Sequence, residues 1–233
     1  WMSAEICLGP EGERLEEKEG RKLKILEMPY KQIREYDCGS RRPAMFPRQQ
    51  PSEIQKPTLQ AVLRSIKTYY RNQGRTIPAL NIEIKSKPEW DNEYPPEPAR
   101  LVSQVLGVID RVGQDESLRV TIQSFDPRSL EEVRKKRPEM PVSLLVDNRK
   151  SVKQNLERLS FKPEIYSPHH DLLSQEDVDY LHEQDIRVIP WTVNKIPQMV
   201  RLINMGVDGI ITDYPDLIQE LRKIEEGQAT PAQ

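Results

Sequence analysis

The chain has 233 residues, and its 35 lysines and arginines balance 37 aspartates and glutamates, for a net charge of −2 at pH 7. This balance argues against nucleic acid as a partner, and no apolar run reaches the ~20 residues that span a bilayer, so stable membrane insertion is not expected. The length fits one α/β domain of barrel size, and we expect its partner to be a small molecule.

Residues 1–56 are rich in charge and poor in periodic apolar residues. We predict a loop-rich segment over the barrel, because a long irregular stretch usually covers a functional face or marks a missing neighbour. Cys7 and Cys38 are the only cysteines. Two cysteines are too few for a disulfide framework and lack metal-ligand spacing, so we expect free or loosely paired thiols.

Regular structure is predicted for residues 57–226, and a frayed polar tail for 227–233. One amphipathic helix begins near Thr58, and six short apolar strands follow, each with a helix after it. The predicted strands are 79–85, 118–125, 141–146, 164–167, 187–192 and 207–212. Such alternation predicts a parallel sheet. A closed (β/α)8 barrel needs eight strands, so we expect the first two strands to be missing from this sequence.

Several residues mark the ends of the predicted helices. Asp126 is expected to cap one helix, and Ser174 with Asp177 to form a capping box on another. Asn194 is expected to cap the next helix, and Gly206 to follow it in a left-handed conformation. The last two helices are expected to bury apolar stripes made of Ile196, Met199, Val200 and Ile203, and of Leu217, Ile218, Leu221 and Ile224.

The strand ALNIEIK, residues 79–85, carries two ionisable side chains. Alternation places Glu83 and Lys85 on one side with Asn81, and in a barrel this polar side faces inward. Burying such groups is costly unless they meet a metal, an anion or each other, so they suggest a site. The alternative is an ion pair between Glu83 and Lys85 or an arginine.

Two motifs near the C-terminus occur together: WTVN at residues 191–194 and GVDGIITDYPD at residues 206–216. At this spacing they resemble the C-terminal signature of the glycerophosphodiester phosphodiesterase family. The segments EIK and VTIQSFDP precede them in the family's order, and WMSAEICLGPEG is similar to a loop of bacterial relatives. The resemblance implies an α/β fold of the (β/α)8 TIM-barrel type.

The resemblance also implies roles for five residues. Glu83 is expected to bind a divalent cation, Mg²⁺ or Ca²⁺, because carboxylates suit hard cations better than zinc. Lys85 is expected to be catalytic and to hold the substrate phosphate. Gln123 and Phe125 are expected to face the pocket, and Trp191 to line the glycerol side. Phe125 and Trp191 could instead be core aromatic residues.

The implied reaction is metal-dependent hydrolysis of a glycerophosphodiester to glycerol 3-phosphate and an alcohol, with two histidines as acid and base. The family's His-Arg-Gly, Pro-Glu-Asn-Thr, Glu-x-Asp and second histidine motifs do not occur in this sequence. We therefore predict an incomplete catalytic domain that is inactive alone. His169 and His170 match neither histidine motif and are expected to be solvent-facing or packed in a loop. Analogy with relatives suggests the periplasm or the cell exterior.

Two further hypotheses stay open. One is an aldolase-like enzyme that forms a Schiff base on Lys85. The other is a ligand-binding barrel that has lost its acid and base. Dinucleotide binding and serine or thiol hydrolysis find no support, because the sequence has no Gly-rich phosphate loop, Gly-x-Ser-x-Gly elbow or CxxC pair.

Overall fold

A computed structural model describes residues 1–114 and 118–225. The chain divides into two compact units, one made of Trp1–Pro78 with Ser86–Leu118 and the other of Ala79–Lys85 with Arg119–Gln233. None of the helices formed by the described residues has the length and apolar character needed to cross a bilayer. The tail predicted for residues 227–233 lies outside the described residues.

Among its described residues, the first unit contains four α-helices and the short 3-10 helix Pro88–Trp90. The α-helices are Glu17–Lys22 (α1), Tyr30–Ile33 (α2), Leu59–Asn72 (α3) and Pro98–Gly113 (α4). The side chain of Thr58 caps α3 by accepting the N–H of Ala61 at 3.1 Å. On the inner face of α3, Lys67 is buried, and its Nζ donates to the carbonyl of Val112 at 2.7 Å. A cation at the C-terminal end of α4 is favourable, because unpaired carbonyls and the helix dipole face it.

A disulfide joins Cys7 to Cys38 in the first unit, so the expectation of free or loosely paired thiols is wrong. The backbone N–H of Leu8 donates to the carbonyl of Asp37 at 2.7 Å, which brings the two cysteines side by side. Cys7 is completely buried within a small apolar core with Met2. The pairing depends on a contact between distant segments that cysteine spacing does not encode.

The second unit is built on a sheet of five parallel strands that lie side by side in sequence order. They are Leu80–Glu83 (β1), Val120–Ser124 (β2), Val142–Val146 (β3), Ile165–Pro168 (β4) and Arg187–Val188 (β5). Its helices are Pro127–Lys136 (α5), Val152–Leu156 (α6), Gln175–Glu183 (α7), Ile196–Asn204 (α8) and Leu217–Glu225 (α9). The predicted parallel α/β arrangement is confirmed for five of the six strands.

One face of this sheet is covered by helices and forms the core. Ile122, Val142, Leu144 and Val188 are buried there, and α5 packs on β2 and β3 while α7 packs on β5. The other face carries the polar residues of β1 and is the face on which the candidate site lies.

The predicted strand at residues 207–212 is wrong as a regular strand, although the segment runs beside β5. The N–H of Asp208 donates to the Val188 carbonyl and that of Ile211 to the Pro190 carbonyl, both at 2.9 Å. A continuous ladder also needs N–H donors from β5. That of Val188 donates instead to the Asp208 carboxylate at 2.7 Å, and Pro190 has none.

Capping at the helix ends follows the sequence in most places. Asp126 caps α5, Ser174 and Asp177 form the capping box of α7, and Gly206 has a φ of +82° after α8. Asn194 does not cap α8, which starts after Lys195 without a side-chain cap. Asn194 does not cap the helix because its side-chain amide forms hydrogen bonds with the segment that follows residue 211.

The apolar stripes of the last two helices are confirmed in part. In α8, Ile196 and Met199 are buried, whereas Ile203 is exposed and Leu202 takes its place in the core. In α9, Leu217 and Leu221 are buried, whereas Ile218 is exposed. The side chain of Ile224 lies outside the described residues. The buried stripe of each helix is therefore narrower than the sequence pattern.

Candidate functional site

The register of the sheet determines which side chains share the face opposite the helices. Residues paired across the five strands include Glu83, Gln123, Ser143, Ile165 and Arg187. Trp191 lies four residues beyond Arg187, and its N–H continues the ladder by donating to the Pro168 carbonyl at 3.0 Å. Because side chains alternate with a period of two, Trp191 lies on the same face as Glu83.

Glu83 and Lys85 form an ion pair at the carboxyl end of β1, with Lys85 Nζ 3.4 Å from Glu83 Oε1. This is the pairing that the sequence offered as an alternative to ligand binding. The Glu83 side chain is 25% exposed, but that of Lys85 is 75% exposed, so the expected burial of Lys85 is not observed. The reason is that β1 is an edge strand of the five-stranded sheet.

Gln123 lies beside Glu83 on the neighbouring strand. Its Oε1 accepts a hydrogen bond from Asn81 Nδ2 at 2.7 Å. Since the amide oxygen is held by Asn81, the amide nitrogen of Gln123 is directed elsewhere on the same face. The sequence pattern predicts only that Asn81 shares a side of the strand with Glu83. Its hydrogen bond to Gln123 depends on the register between the two strands.

Phe125 and Trp191 contact each other, with ring centroids 5.2 Å apart and planes at 89°. Two strands separate β2 from β5, so their backbones in a flat sheet would lie roughly 14 Å apart. Contact between the rings is therefore consistent with a sheet that curves towards this face. Trp191 is held from the other side as well, since its Nε1 donates to the Ser167 carbonyl at 2.8 Å.

His169 lies next to Trp191 on the same rim, with ring centroids 5.4 Å apart. His170 is buried, and its ring stacks on that of His169 at 4.7 Å. The pair was expected to be solvent-facing or packed in a loop; in the structure His169 forms a β-bridge with Trp191, and the buried His170 begins the 3-10 helix His170–Leu172. Burial lowers the pKa of His170, the charges of His169 and Arg201 lower it further, and Asp171 opposes the shift. His170 is therefore held towards its neutral form.

Asn194 and Asp213 connect the two segments that carry the C-terminal motifs. Asn194 Nδ2 donates to Asp213 Oδ2 at 2.7 Å, and Asn194 Oδ1 accepts the Asp213 N–H at 3.0 Å. Asn194 Oδ1 also accepts the Thr212 hydroxyl at 3.1 Å. These three hydrogen bonds hold the backbone just beyond Trp191 in place. The sequence pattern predicts Asn194 only as a helix cap and does not show that it bonds Asp213.

A divalent cation fits this face in part. Glu83 offers a half-buried carboxylate, and the amide oxygen of Asn81 lies on the same face, whereas that of Gln123 accepts a hydrogen bond from Asn81. Oxygen donors of this kind suit Mg²⁺ or Ca²⁺. Glu83 is the one carboxylate among these three residues, so a cation held here would take its other charged ligands from elsewhere.

The chain was compared with known protein families and structures. The model of the glycerophosphoryl diester phosphodiesterase family matches residues 12–217. The chain belongs to this family. It is 28% identical over 205 residues to a glycerophosphodiester phosphodiesterase of Bacillus subtilis strain 168, a match that covers 82% of this chain and 63% of that protein. It is 35% identical over 147 residues to one of Caldanaerobacter subterraneus, covering 62% of this chain and 56% of that protein.

The glycerophosphoryl diester phosphodiesterase family is also matched in structure. The crystal structure of a relative from Silicibacter pomeroyi DSS-3 superposes with a TM-score of 0.79 at 27% identity, covering 97% of this chain and 77% of that one. This confirms the predicted α/β fold class of the TIM-barrel type. The chain spans 63% and 56% of the two curated relatives, so what the whole protein does is taken up as a proposal.

Proposed function

We propose that the protein containing this chain hydrolyses glycerophosphodiesters to glycerol 3-phosphate and an alcohol, with the help of a divalent cation. The observation that carries the proposal is the shared face of Glu83, Lys85 and Trp191, all within the residues that the family model matches. A carboxylate can hold a cation against a phosphate, an ammonium can bind the phosphate directly, and an aromatic wall can pack on the glycerol carbons.

Each side chain has a part in this proposal. The Lys85 ammonium offsets negative charge on the phosphoryl oxygens, and its exposure leaves it free to turn from Glu83 to the substrate. Gln123, whose oxygen is held by Asn81, donates its amide N–H to a substrate oxygen. Phe125 and Trp191 form the apolar wall beside the glycerol carbons.

Glu83 holds the cation, with Mg²⁺ and Ca²⁺ as the candidates because the donors are oxygens. When bound, such an ion stabilises negative charge on the phosphoryl group. A cation that binds Glu83 would displace Lys85 from its ion pair with this residue. The displacement costs little, since an exposed ion pair contributes about 0–1 kcal/mol.

We further propose that the acid and base belong to sequence outside these 233 residues. The support is that the chain spans 63% of the Bacillus subtilis relative. His170 is an unsuitable proton carrier, because it is buried against the rim. His169 matches neither histidine motif of the family.

The alternative of a Schiff base on Lys85 has less support. Lysines that form Schiff bases are desolvated in apolar pockets or lie beside another cation. Lys85 is 75% exposed and lies 3.4 Å from a carboxylate. A ligand-binding barrel without acid and base remains the second candidate, and it predicts that the longer protein also lacks the histidine motifs.

We propose a compartment outside the cytoplasm. The support is the Cys7–Cys38 disulfide, because disulfides persist in oxidising compartments and are rare in the cytosol.

The test uses the longer protein, glycerophosphocholine as substrate, and release of glycerol 3-phosphate as the measurement. We expect release with Mg²⁺ or Ca²⁺ and its loss with a chelator. Glu83→Gln is expected to lower kcat/KM about 100-fold or more, since one charged ligand is removed. Glu139→Gln, at an exposed glutamate after α5, is the matched control and should change nothing.

Two results would contradict the proposal. Full activity of Glu83→Gln, or activity indifferent to the chelator, would remove the cation from the mechanism. Metal-dependent release by the 233-residue chain alone would show that the acid and base lie within it.

A further inference from the structure

We propose that His169, His170 and Asp171 form a site for one borderline transition-metal ion of the Zn²⁺ type, separate from the cation site at Glu83. The three residues are consecutive and follow β4 directly. The proposal does not depend on hydrolysis by the longer protein, and nothing in the family motifs of this sequence involves these residues.

The geometry of the three side chains is already close to that of a metal site. Each offers one ligand atom, and the three atoms lie within 4.8 Å of one another. Nδ1 of His170 and Oδ1 of Asp171 are 3.0 Å apart. Ligand atoms around a tetrahedral zinc ion are separated by roughly 3.4 Å, given bonds of about 2.0–2.2 Å. Because 4.8 Å exceeds this spacing, the side chains would have to draw closer together around a bound ion.

A second observation points independently to a ligand. His170 is only 6% exposed, and its Nδ1 forms no aligned hydrogen bond among the described residues, although Asp171 Oδ1 lies 3.0 Å from it. Leaving a buried polar atom unpaired costs about 1–3 kcal/mol. A metal ion would take up the lone pair of this nitrogen, while the Arg201 side chain holds the backbone carbonyl of the same residue at 3.1 Å.

The donor set selects the class of metal. Two imidazole nitrogens and one carboxylate oxygen suit Zn²⁺, Co²⁺ or Ni²⁺, whereas Mg²⁺ and Ca²⁺ prefer oxygen donors throughout. Metal-binding imidazoles must be neutral. Three protein ligands leave a fourth position for water.

The ion can reach the site from solvent. The Asp171 side chain is 69% exposed and borders an open cleft of about 460 Å³. The His169 ring also contacts Trp191 on the candidate active face.

The experiment is a competition between the chain and a chromophoric zinc chelator, after removal of bound metal and dialysis. We expect one equivalent of Zn²⁺ per chain, not displaced by millimolar Mg²⁺. Replacing a ligand, as in His169→Gln, His170→Gln or Asp171→Asn, is expected to weaken binding about tenfold to a hundredfold. Co²⁺ as a probe should show visible absorption bands that the same variants lose.

His182→Gln is the matched control, because His182 is the third histidine of the chain and lies apart from this cluster, paired with Asp208. It should bind Zn²⁺ as the unaltered chain does. Glu83→Gln should also bind normally, which separates the two sites. Circular dichroism checks folding, and Asp171→Asn serves if the buried His170 cannot be replaced.

Three results would overturn the proposal: unchanged affinity in the His169, His170 and Asp171 variants, loss of binding in Glu83→Gln, or an equal loss in His182→Gln. The first would make the cluster a local packing contact in which Asp171 only lies beside the His170 ring.

Discussion

At the scale of single residues, the candidate site is defined by a charged pair that contributes little to stability. Lys85 and Glu83 are 3.4 Å apart at an exposed edge, where an ion pair is worth about 0–1 kcal/mol. Both groups are therefore available to a ligand at small cost. The ion pair matters for function because it holds both charged groups on the face where the substrate is proposed to bind.

Replacing Lys85 with methionine tests this view in the longer protein. We expect Lys85→Met to lower kcat/KM for glycerophosphocholine about 100- to 1,000-fold, because one charge that stabilises the transition state is removed. The free energy of unfolding should change by less than about 0.5 kcal/mol, since the side chain is exposed. Steady-state kinetics and urea unfolding measure the two quantities.

Lys135→Met is the control for this substitution. Lys135 is also 75% exposed and pairs with a glutamate, Glu132, at 3.8 Å, but it lies on α5. It should leave activity unchanged. Equal losses in both variants would mean that general surface charge, and not a position at the site, explains the effect.

The sequence predicted the face of these residues and offered the Glu83–Lys85 ion pair as an alternative, but it did not predict the contacts made between strands. Alternation along ALNIEIK was sufficient to place Glu83 and Lys85 on one side, and the WTVN motif was sufficient to single out Trp191. It could not show that Asn81 holds Gln123 or that His169 contacts Trp191, because these contacts depend on the register between strands. Distances across a sheet are a property of pairing, which no local pattern encodes.

At the scale of elements, the sequence predicted five strands and most helix ends because each has a local signal. It failed at residues 207–212, where Asp208 and Pro190 interrupt the hydrogen-bond ladder. The apolar pattern of a strand was present, but the backbone partners were not. Asn194 failed as a cap for a similar reason, since Asp213 competes for its amide.

The side chain of Asp37 holds a loop of the first unit together through hydrogen bonds to its backbone. Its Oδ1 accepts the N–H groups of Gly39, Ser40 and Ile54 at 2.9, 3.2 and 3.1 Å. Hydrogen bonds, above all from the Ser40 side chain, lower the pKa of Asp37 from 3.8 to about 2. We expect Asp37→Ala to lower the free energy of unfolding by about 1–3 kcal/mol at pH 7.

The pH dependence of that effect follows from the lowered pKa. The stabilising contribution of the ionised Asp37 is complete above its ordinary pKa of 3.8 and is lost as the pH falls to about 2. The difference between the unaltered chain and Asp37→Ala should therefore narrow between pH 4 and pH 2, as measured by urea unfolding. Glu35→Ala, at a neighbouring exposed position, should show no such dependence; a constant difference for Asp37→Ala would contradict the assignment.

At the scale of the whole molecule, the disulfide links residues 31 apart in sequence and is the covalent tie of the first unit. No sequence pattern predicts it, because two cysteines at this spacing can be either free or bridged. The pairing follows from the fold of the segment around the buried Cys7 and is independent of the sheet.

Reduction of this bond is expected to destabilise the first unit. Closing a loop of this length limits the unfolded chain, which corresponds to about 3–4 kcal/mol. Urea unfolding with and without a reducing agent measures the change. The double substitution Cys7→Ala with Cys38→Ala should be as unstable as the reduced chain and indifferent to reductant. A transition midpoint that reductant does not move would argue against the bond.

The position of Trp191 between Phe125 and His169 has a practical consequence. Its indole is a fluorophore in contact with two rings at the place where the glycerol would lie, so occupancy should change its emission. Replacing Trp1 and Trp90 with phenylalanine would leave this single reporter. Ligand affinity could then be followed by the fluorescence of Trp191 alone.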